Sequence, residues 1–476
     1  MADLPRDIFF DSIADLGAGL RAKKYSCAEL IRAFCDRLEK LGARYHALAL
    51  SLREQAIRQA LDTDDDLKRG RTRGPLQGIP YGVKDLLAAK GNPTTWGAAP
   101  FAAQVFDQDA RTIQKLNSAH AILIGKLSMI ELAGGGGYES ASASLTGACL
   151  NPWDPTRWSG GSSSGPGAAV SAGMVPFALG SETSGSILTP SAFCGITGLR
   201  PTYGLVSRRG AMPLSWTLDK IGPMCRSAED CAIVLQAIAG GDSGDPGSAG
   251  RGFYFNPKFA WKMQDVTIGY APVDFDEWAE PATRSGFQAA LKTLKGLGVK
   301  MKEMELPDFP YGALVEMIIA AESASIFEDL IRGGKVDQLA DRRQIAGMKA
   351  SVDVPAVEYL RAMRVRSLVQ EAFRTLFNGV NVLLAPSCLG IAPKVSQPLD
   401  GGPGPATRPS SRGLTAIIPA GNLAGLPALS LPCGFAEGMP IGIQLVSRPF
   451  YENQLLAMGQ AFQSQTNWHR RRPPVE

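Results

Sequence analysis

Residues 159 to 195, SGGSSSGPGAAVSAGMVPFALGSETSGSILTPSAFCG, place two Gly/Ser-rich turns, 160–167 and 180–186, on either side of a small-residue apolar segment. Hydroxyls on such turns are candidate nucleophiles. Glycine permits backbone shapes that other residues resist, so successive N–H groups there can converge on one anionic atom. The pattern suits attack on a carbonyl, with an oxyanion hole beside the attacking hydroxyl. Three other readings fit parts of it. GGSSSG alone fits a flexible linker, but the dense apolar context around it does not. A phosphate-cradling loop lacks its GK[ST] ending. GSSSG at 161–165 fits the G-x-S-x-G elbow, but that fold needs a later histidine with an acid between, and the chain offers only His469, seven residues from its end.

A serine hydrolase poor in histidine needs another base. The chain has only three histidines, His46, His120 and His469. A lysine serves when burial or neighbouring cations bring its pKa toward neutrality, because the neutral amine then accepts a proton. The candidate is Lys84 in GIPYGVKDLL, where a lone lysine ends a strand-like apolar run. Taken singly, such a lysine reads as a surface residue at a strand end. The two serine turns are what give it a chemical role.

In this order, GIPYGVKD, GGSSSGPGAAV and LGSETSGSILTPSAFCGITGLRPTYG resemble three blocks of the amidase signature family. The resemblance runs over nearly the whole chain, through NPWDPTRW at 151–158, DKIGPMCRSAEDC at 219–231, and AGLPALSLPCGF with MPIGIQLVSRPF in 424–450. It implies an α/β fold with a large mixed β-sheet covered by helices on both faces. It also implies Lys84 as base, Ser162 as a bridging serine in a cis peptide, and Ser186 as the acyl-accepting serine, 186 − 162 = 24 residues further on. Backbone N–H groups of Thr183, Ser184, Gly185 and Ser186 are then the oxyanion donors, with Ser163 and Glu182 beside them by position.

Two departures stand out. Where the family commonly reads Gly-Gly-Ser-Ile-Arg, this chain reads Ser184-Gly185-Ser186-Ile187-Leu188. Ser184 leaves a backbone N–H in place, whereas Leu188 removes a guanidinium. If Leu188, Tyr138 and Trp216 face one cleft, its apolar wall favours a neutral aryl or apolar amide, or a carbamate (urethane), over a small charged amide. Core packing is the other reading of each of the three. A second function carried by the same signature is the ammonia-producing, glutamine-hydrolysing component of a tRNA-dependent amidotransferase complex.

Scaffold elements must hold these turns. Ser26-Cys-Ala-Glu29 predicts a capping box opening a helix, and Leu30, Ile31, Phe34, Leu38 and Leu41 follow at helical spacing. AILIG at 121–125, VTIGY at 266–270, VLLAP at 382–386 and IGIQLV at 441–446 predict buried strands, and the pattern from Phe287 to Leu297 predicts a helix. The Gly-rich stretches 240–252 and 401–411 predict surface loops. They bracket residues 262–390, expected to be a more variable layer over the core of a single domain spanning 1–476.

Composition narrows the partners. Lys plus Arg is 49 against 45 Asp plus Glu, a net charge of +4, and the basic residues are dispersed, so the charge pattern predicts no nucleic-acid partner. Arg470, Arg471 and Arg472 read as a solvated tail. The eight cysteines form no CxxC pair and read as buried thiols, and no metal or cofactor is expected. MADLPRDIFFDS has no apolar core of signal-peptide length, and the apolar stretch 168–180 is too short and broken to span a bilayer. The expectation is a cytoplasmic monomer or homodimer acting on a small-molecule amide or carbamate, without a membrane.

Overall fold

The computed structural model describes residues 4–399 and 413–475. The expected loop at 401–411 therefore lies outside the described residues. Eleven strands form one sheet in the order β1-β3-β2-β4-β6-β5-β10-β11-β9-β7-β8. In chain order these are β1 Leu48–Ser51, β2 Pro80–Lys84, β3 Ile122–Leu127, β4 Phe177–Glu182, β5 Thr197–Arg200, β6 Lys220–Cys225, β7 Thr267–Tyr270, β8 Lys300–Glu303, β9 Val382–Pro386, β10 Ala428–Ala436 and β11 Met439–Ser447. Parallel pairs join β2 to β3 and β4, and β7 to β8 and β9. The remaining neighbours are antiparallel. The result is a mixed α/β fold with helices over both faces of one sheet.

Every residue of β2, β3, β4, β6 and β9 is buried. Strands covered on both sides read as continuous apolar runs rather than alternating ones, which is why they are visible in the sequence. The exceptions are informative. Lys84 ends β2, Lys126 lies near the end of β3, Glu182 ends β4 and Lys220 opens β6. Because β2, β3 and β4 run parallel while β6 runs against β4, these four buried charges collect at one end of the central strands. In open α/β sheets, that carboxyl end of parallel strands is where ligands bind.

The Ser26 capping box forms as predicted and opens the helix Cys27–Arg44, whose buried residues include Leu30, Ile31, Phe34, Leu38 and Leu41. The stretch 262–390 supplies β7, β8 and β9 at one edge of the sheet, together with the helices Pro281–Gly296, Tyr311–Ile326 and Ala356–Leu376. It thus extends the sheet as well as packing helices on it. All eight cysteines are free, and only Cys388 is not fully buried. Arg472 is exposed, and it also pairs with Asp7 and lies over the Phe10 ring. Among the described residues, no helix is long and apolar enough to cross a membrane.

Candidate active site

The two serine turns meet above β2 and β4. The turn at Ser162 runs into the helix Ser164–Ser171, and the turn after β4 runs into the helix Leu188–Cys194. The two helices pack against each other. Gly160 makes this approach possible. It has φ +90°, and a Cβ there would lie 2.6 Å from Pro190 Cα. Ser163 then ties the turns to the sheet. Its N–H donates to the Ser186 carbonyl at 3.3 Å, its hydroxyl donates to Ser181 O at 3.1 Å, and it accepts from Ser181 N at 3.2 Å.

Lys84 Nζ lies 2.7 Å from Ser162 Oγ and 3.0 Å from Ser181 Oγ. The Gly161–Ser162 peptide is cis. Lys84 and Ser162 are 0 % and 1 % exposed, whereas Ser186 is 8 % exposed, so Ser186 is the member of the three nearest to solvent. Burial pushes the Lys84 ammonium down to about 7, although the charges of Asp219 and Glu182 pull the other way. An amine at that value is neutral often enough near pH 7 to accept a proton.

The turn 183–186 is held from below by Glu182. This fully buried carboxylate accepts from Ile187 N at 2.9 Å and Leu188 N at 3.1 Å through one oxygen, and from Arg200 at 2.9 Å and Asn422 Nδ2 at 2.9 Å through the other. Burial by itself raises the Glu182 pKa, but the positive charges of Arg200 and Lys220 and these hydrogen bonds prevail, so it is lowered and the group stays ionised. Thr183 Oγ1 donates to Asp219 Oδ1 at 2.6 Å. The other Asp219 oxygen accepts from Leu214 N at 2.8 Å and Ser215 N at 2.9 Å. Within the protein, no described acceptor takes the backbone N–H of Ser184, Gly185 or Ser186. With Gly185 at φ +88°, the turn has both the shape and the free donors to receive an oxyanion.

Next to Lys84, Asp85 forms a buried ion pair with Lys126 at 2.7 Å and accepts from Thr95 N at 3.1 Å. Buried charges in such a pair remain tolerable because each is also hydrogen-bonded. Lys126 also donates to Pro93 O at 3.0 Å. The pair anchors the chain where it leaves β2.

A cavity of about 240 Å³ has Ser181, Thr183 and Asp219 in its lining, together with Leu86, Met212 and Trp216 and the charged Arg208, Arg209 and Lys220. The three residues expected to share an apolar wall do not come together. Trp216 lines the cavity. Tyr138 packs edge-on against Trp158 at 6.2 Å, in a separate cluster. Leu188 is fully buried, in a core cluster that includes Leu218 and Ile417. The reason is local: Leu188 is the first residue of a helix whose opening N–H groups are drawn onto Glu182, and this turns its side chain inward.

Sequence reasoning missed Ser181, Asp219, Arg200 and Asn422. The first two touch Lys84 and Thr183, and the last two hold Glu182. Ser181, Asp219 and Arg200 stand inside the quoted blocks, so the blocks located them but suggested no role. Among the described residues, no group of three or more His, Cys, Asp or Glu could hold a metal ion.

The chain matches the Amidase family over residues 29–456. It is 36% identical to a glutamyl-tRNA(Gln) amidotransferase subunit of Moorella thermoacetica, covering 98% of this chain and 99% of that one. Among solved structures, a protein from a vestigial complex bearing on the origins of an s-triazine catabolic enzyme superposes with a TM-score of 0.86 at 30% identity, covering 96% of this chain and 98% of that one. The native peptide amidase of Stenotrophomonas maltophilia does so with 0.82 at 28%, covering 98% of each. These relatives correct the expectation of a small-molecule partner alone, with no nucleic acid and no association beyond a homodimer. The Moorella relative, matched end to end, is by name one component of a larger enzyme, and that name contains a tRNA. The charge of one chain was the wrong guide, because it is silent about surfaces that other members of an assembly carry.

Proposed function

The chain belongs to the amidase family, hydrolases of C–N bonds, and from that premise we propose that it cleaves a carboxamide through an ester on Ser186. Neutral Lys84 takes the proton of Ser162, and Ser162 takes that of Ser186 as the Ser186 oxygen attacks the carbonyl carbon. The backbone N–H groups of Thr183, Ser184 and Gly185 receive the charge that develops on oxygen. The proton returns through Ser162 to the leaving nitrogen. Water then cleaves the ester by the same relay. The observation that carries this reading is the buried Lys84 amine, brought down to about 7 and set 2.7 Å from Ser162 Oγ. Ser186 Oγ makes no hydrogen bond to Ser162 among the described contacts, and catalytic contacts of this kind commonly tighten only when substrate binds.

For the amide itself, the reading best supported is the side-chain amide of glutamine, hydrolysed as the ammonia-producing component of a tRNA-dependent amidotransferase. The end-to-end likeness to glutamyl-tRNA(Gln) amidotransferase subunits supports it. A cytoplasmic location goes with that role. The apolar residues in the cavity lining, Leu86, Ala133, Met212 and Trp216, favour a second reading, a neutral aryl or apolar amide or carbamate. The test is ammonia or arylamine release by the isolated chain from glutamine, peptide amides, aryl amides and aryl carbamates. Glutamine turnover that needs added partner proteins upholds the first reading. A specificity constant for a neutral aryl amide tenfold or more above glutamine, on the isolated chain, upholds the second. No turnover of any amide, with Ser186 inert to fluorophosphonates, overturns both.

A further inference from the structure

Beyond the cavity at Ser181 and Thr183 lies a second hollow of about 360 Å³, lined by Ala321, Ala324, Val352, Val354, Glu322 and Tyr359. Trp216 lines both. Trp216 therefore borders both the site cavity and a hollow that the reaction does not use.

The backbone around this indole is pinned. Glu322, fully buried, accepts from Ser215 Oγ at 2.5 Å, Thr217 N at 3.2 Å, Thr217 Oγ1 at 2.8 Å and Tyr359 OH at 2.9 Å. The Trp216 carbonyl accepts from Tyr203 OH at 2.7 Å and from Arg208. Asp219 holds Leu214 N and Ser215 N from the cavity side. By contrast, the Trp216 side chain makes no hydrogen bond to a described residue and is 42 % exposed. Its main chain is a fixed post, and its side chain is the part that can be moved or trimmed without disturbing the post.

The charges around the second hollow are compensated. The Glu322 carboxylate is saturated by four donors. Glu328 and Arg332 pair with each other at 2.6 Å. Ser325 and Ser351 also line it, beside alanines and valines, so an uncharged arm gains from entering, whereas a carboxylate would face Glu322 and Glu328 with Arg332 already paired.

We propose that Trp216 is the partition that sets how long a group the site accepts, and that the hollow behind it is a subsite for the uncharged extended arm of a substrate. This rests on the acyl-serine reading of Ser186. The experiment uses the full chain and alkyl fluorophosphonates. The Ser186 oxygen forms a bond to phosphorus, the P–F bond breaks, fluoride leaves, and the hydroxyl proton passes by way of Ser162 to Lys84. Labelling rates are measured with ethyl, decyl and ω-carboxydecyl probes on wild type, Trp216→Ala, Trp216→Leu and Trp216→Phe. The decyl-to-ethyl rate ratio is expected to rise tenfold or more in the Ala and Leu variants, to stay near wild type in Phe, and not to rise for the carboxylated probe. Ser186 labelled at an unchanged ratio in both Ala and Leu overturns the partition. An equal gain for the carboxylated probe overturns the uncharged-arm assignment. Failure of every probe to label wild-type Ser186 overturns the acyl-serine reading itself, and this inference with it.

Discussion

Replacing Lys84 by Met tests the base through stability as well as rate. Moving the amine from its ordinary 10.5 to about 7 corresponds to about 5 kcal/mol of preference for the neutral form. Between those two values the unfolded chain holds a proton that the folded chain does not. Wild-type stability should therefore rise with pH across that window, by about 1.4 kcal/mol per pH unit, and the full penalty should be present below about pH 7. Methionine has nearly the same length and no titration. It leaves the Ser162 and Ser181 hydroxyls without their lysine partner, at a cost of about 1 kcal/mol each. The balance makes Lys84→Met about 3 kcal/mol more stable than wild type at pH 6, and about 1 kcal/mol less stable near pH 10. Urea unfolding of both proteins at half-unit steps from pH 6 to 10 reads the difference directly. Parallel stability curves over that range would show that the Lys84 pKa is not depressed, and the proposed base would be lost with it.

The remaining expectations concern chemistry and its support. Hydrolysis should rise with pH through about 7, Lys84→Ala should lose roughly a thousandfold or more, and Lys84→Arg should not restore it because a guanidinium stays protonated; near-normal rates in the arginine variant point to another base. A fluorophosphonate adduct should map to Ser186 by mass spectrometry, and an adduct on Ser162 reverses the two roles. Glu182→Ala leaves Arg200 buried without its carboxylate and should destabilise by about 3 to 5 kcal/mol in urea unfolding; a loss under 1 kcal/mol contradicts the support assigned to Glu182. Activity should survive EDTA, and loss of turnover that a divalent ion restores would argue for a metal that the proposed mechanism lacks.

Short-range features carried far in the sequence. The Ser26 capping box, the aliphatic runs that became β3, β7, β9 and β11, and the position of Lys84 at a strand end depend on neighbours a few residues away. The Gly/Ser turns were legible for the same reason, since Gly160 and Gly185 adopt left-handed backbone that the residue type itself permits. What surrounds those turns was not legible. Ser181 and Glu182 are adjacent in the chain, yet strand alternation sends Ser181 to Lys84 and Glu182 to Arg200 and Asn422, the last of them 240 positions away. Leu188 looked like a substrate contact because it stands two residues from Ser186, but the helix it opens turns it into the core. Trp216 was legible as a candidate cleft residue, but what fixes the chain on both sides of it, Glu322, stands more than a hundred positions on. Sequence determines which residues can do chemistry and which local shapes they take. Which of them share a space depends on strand order and helix rotation, and those are set by the packing of the whole sheet.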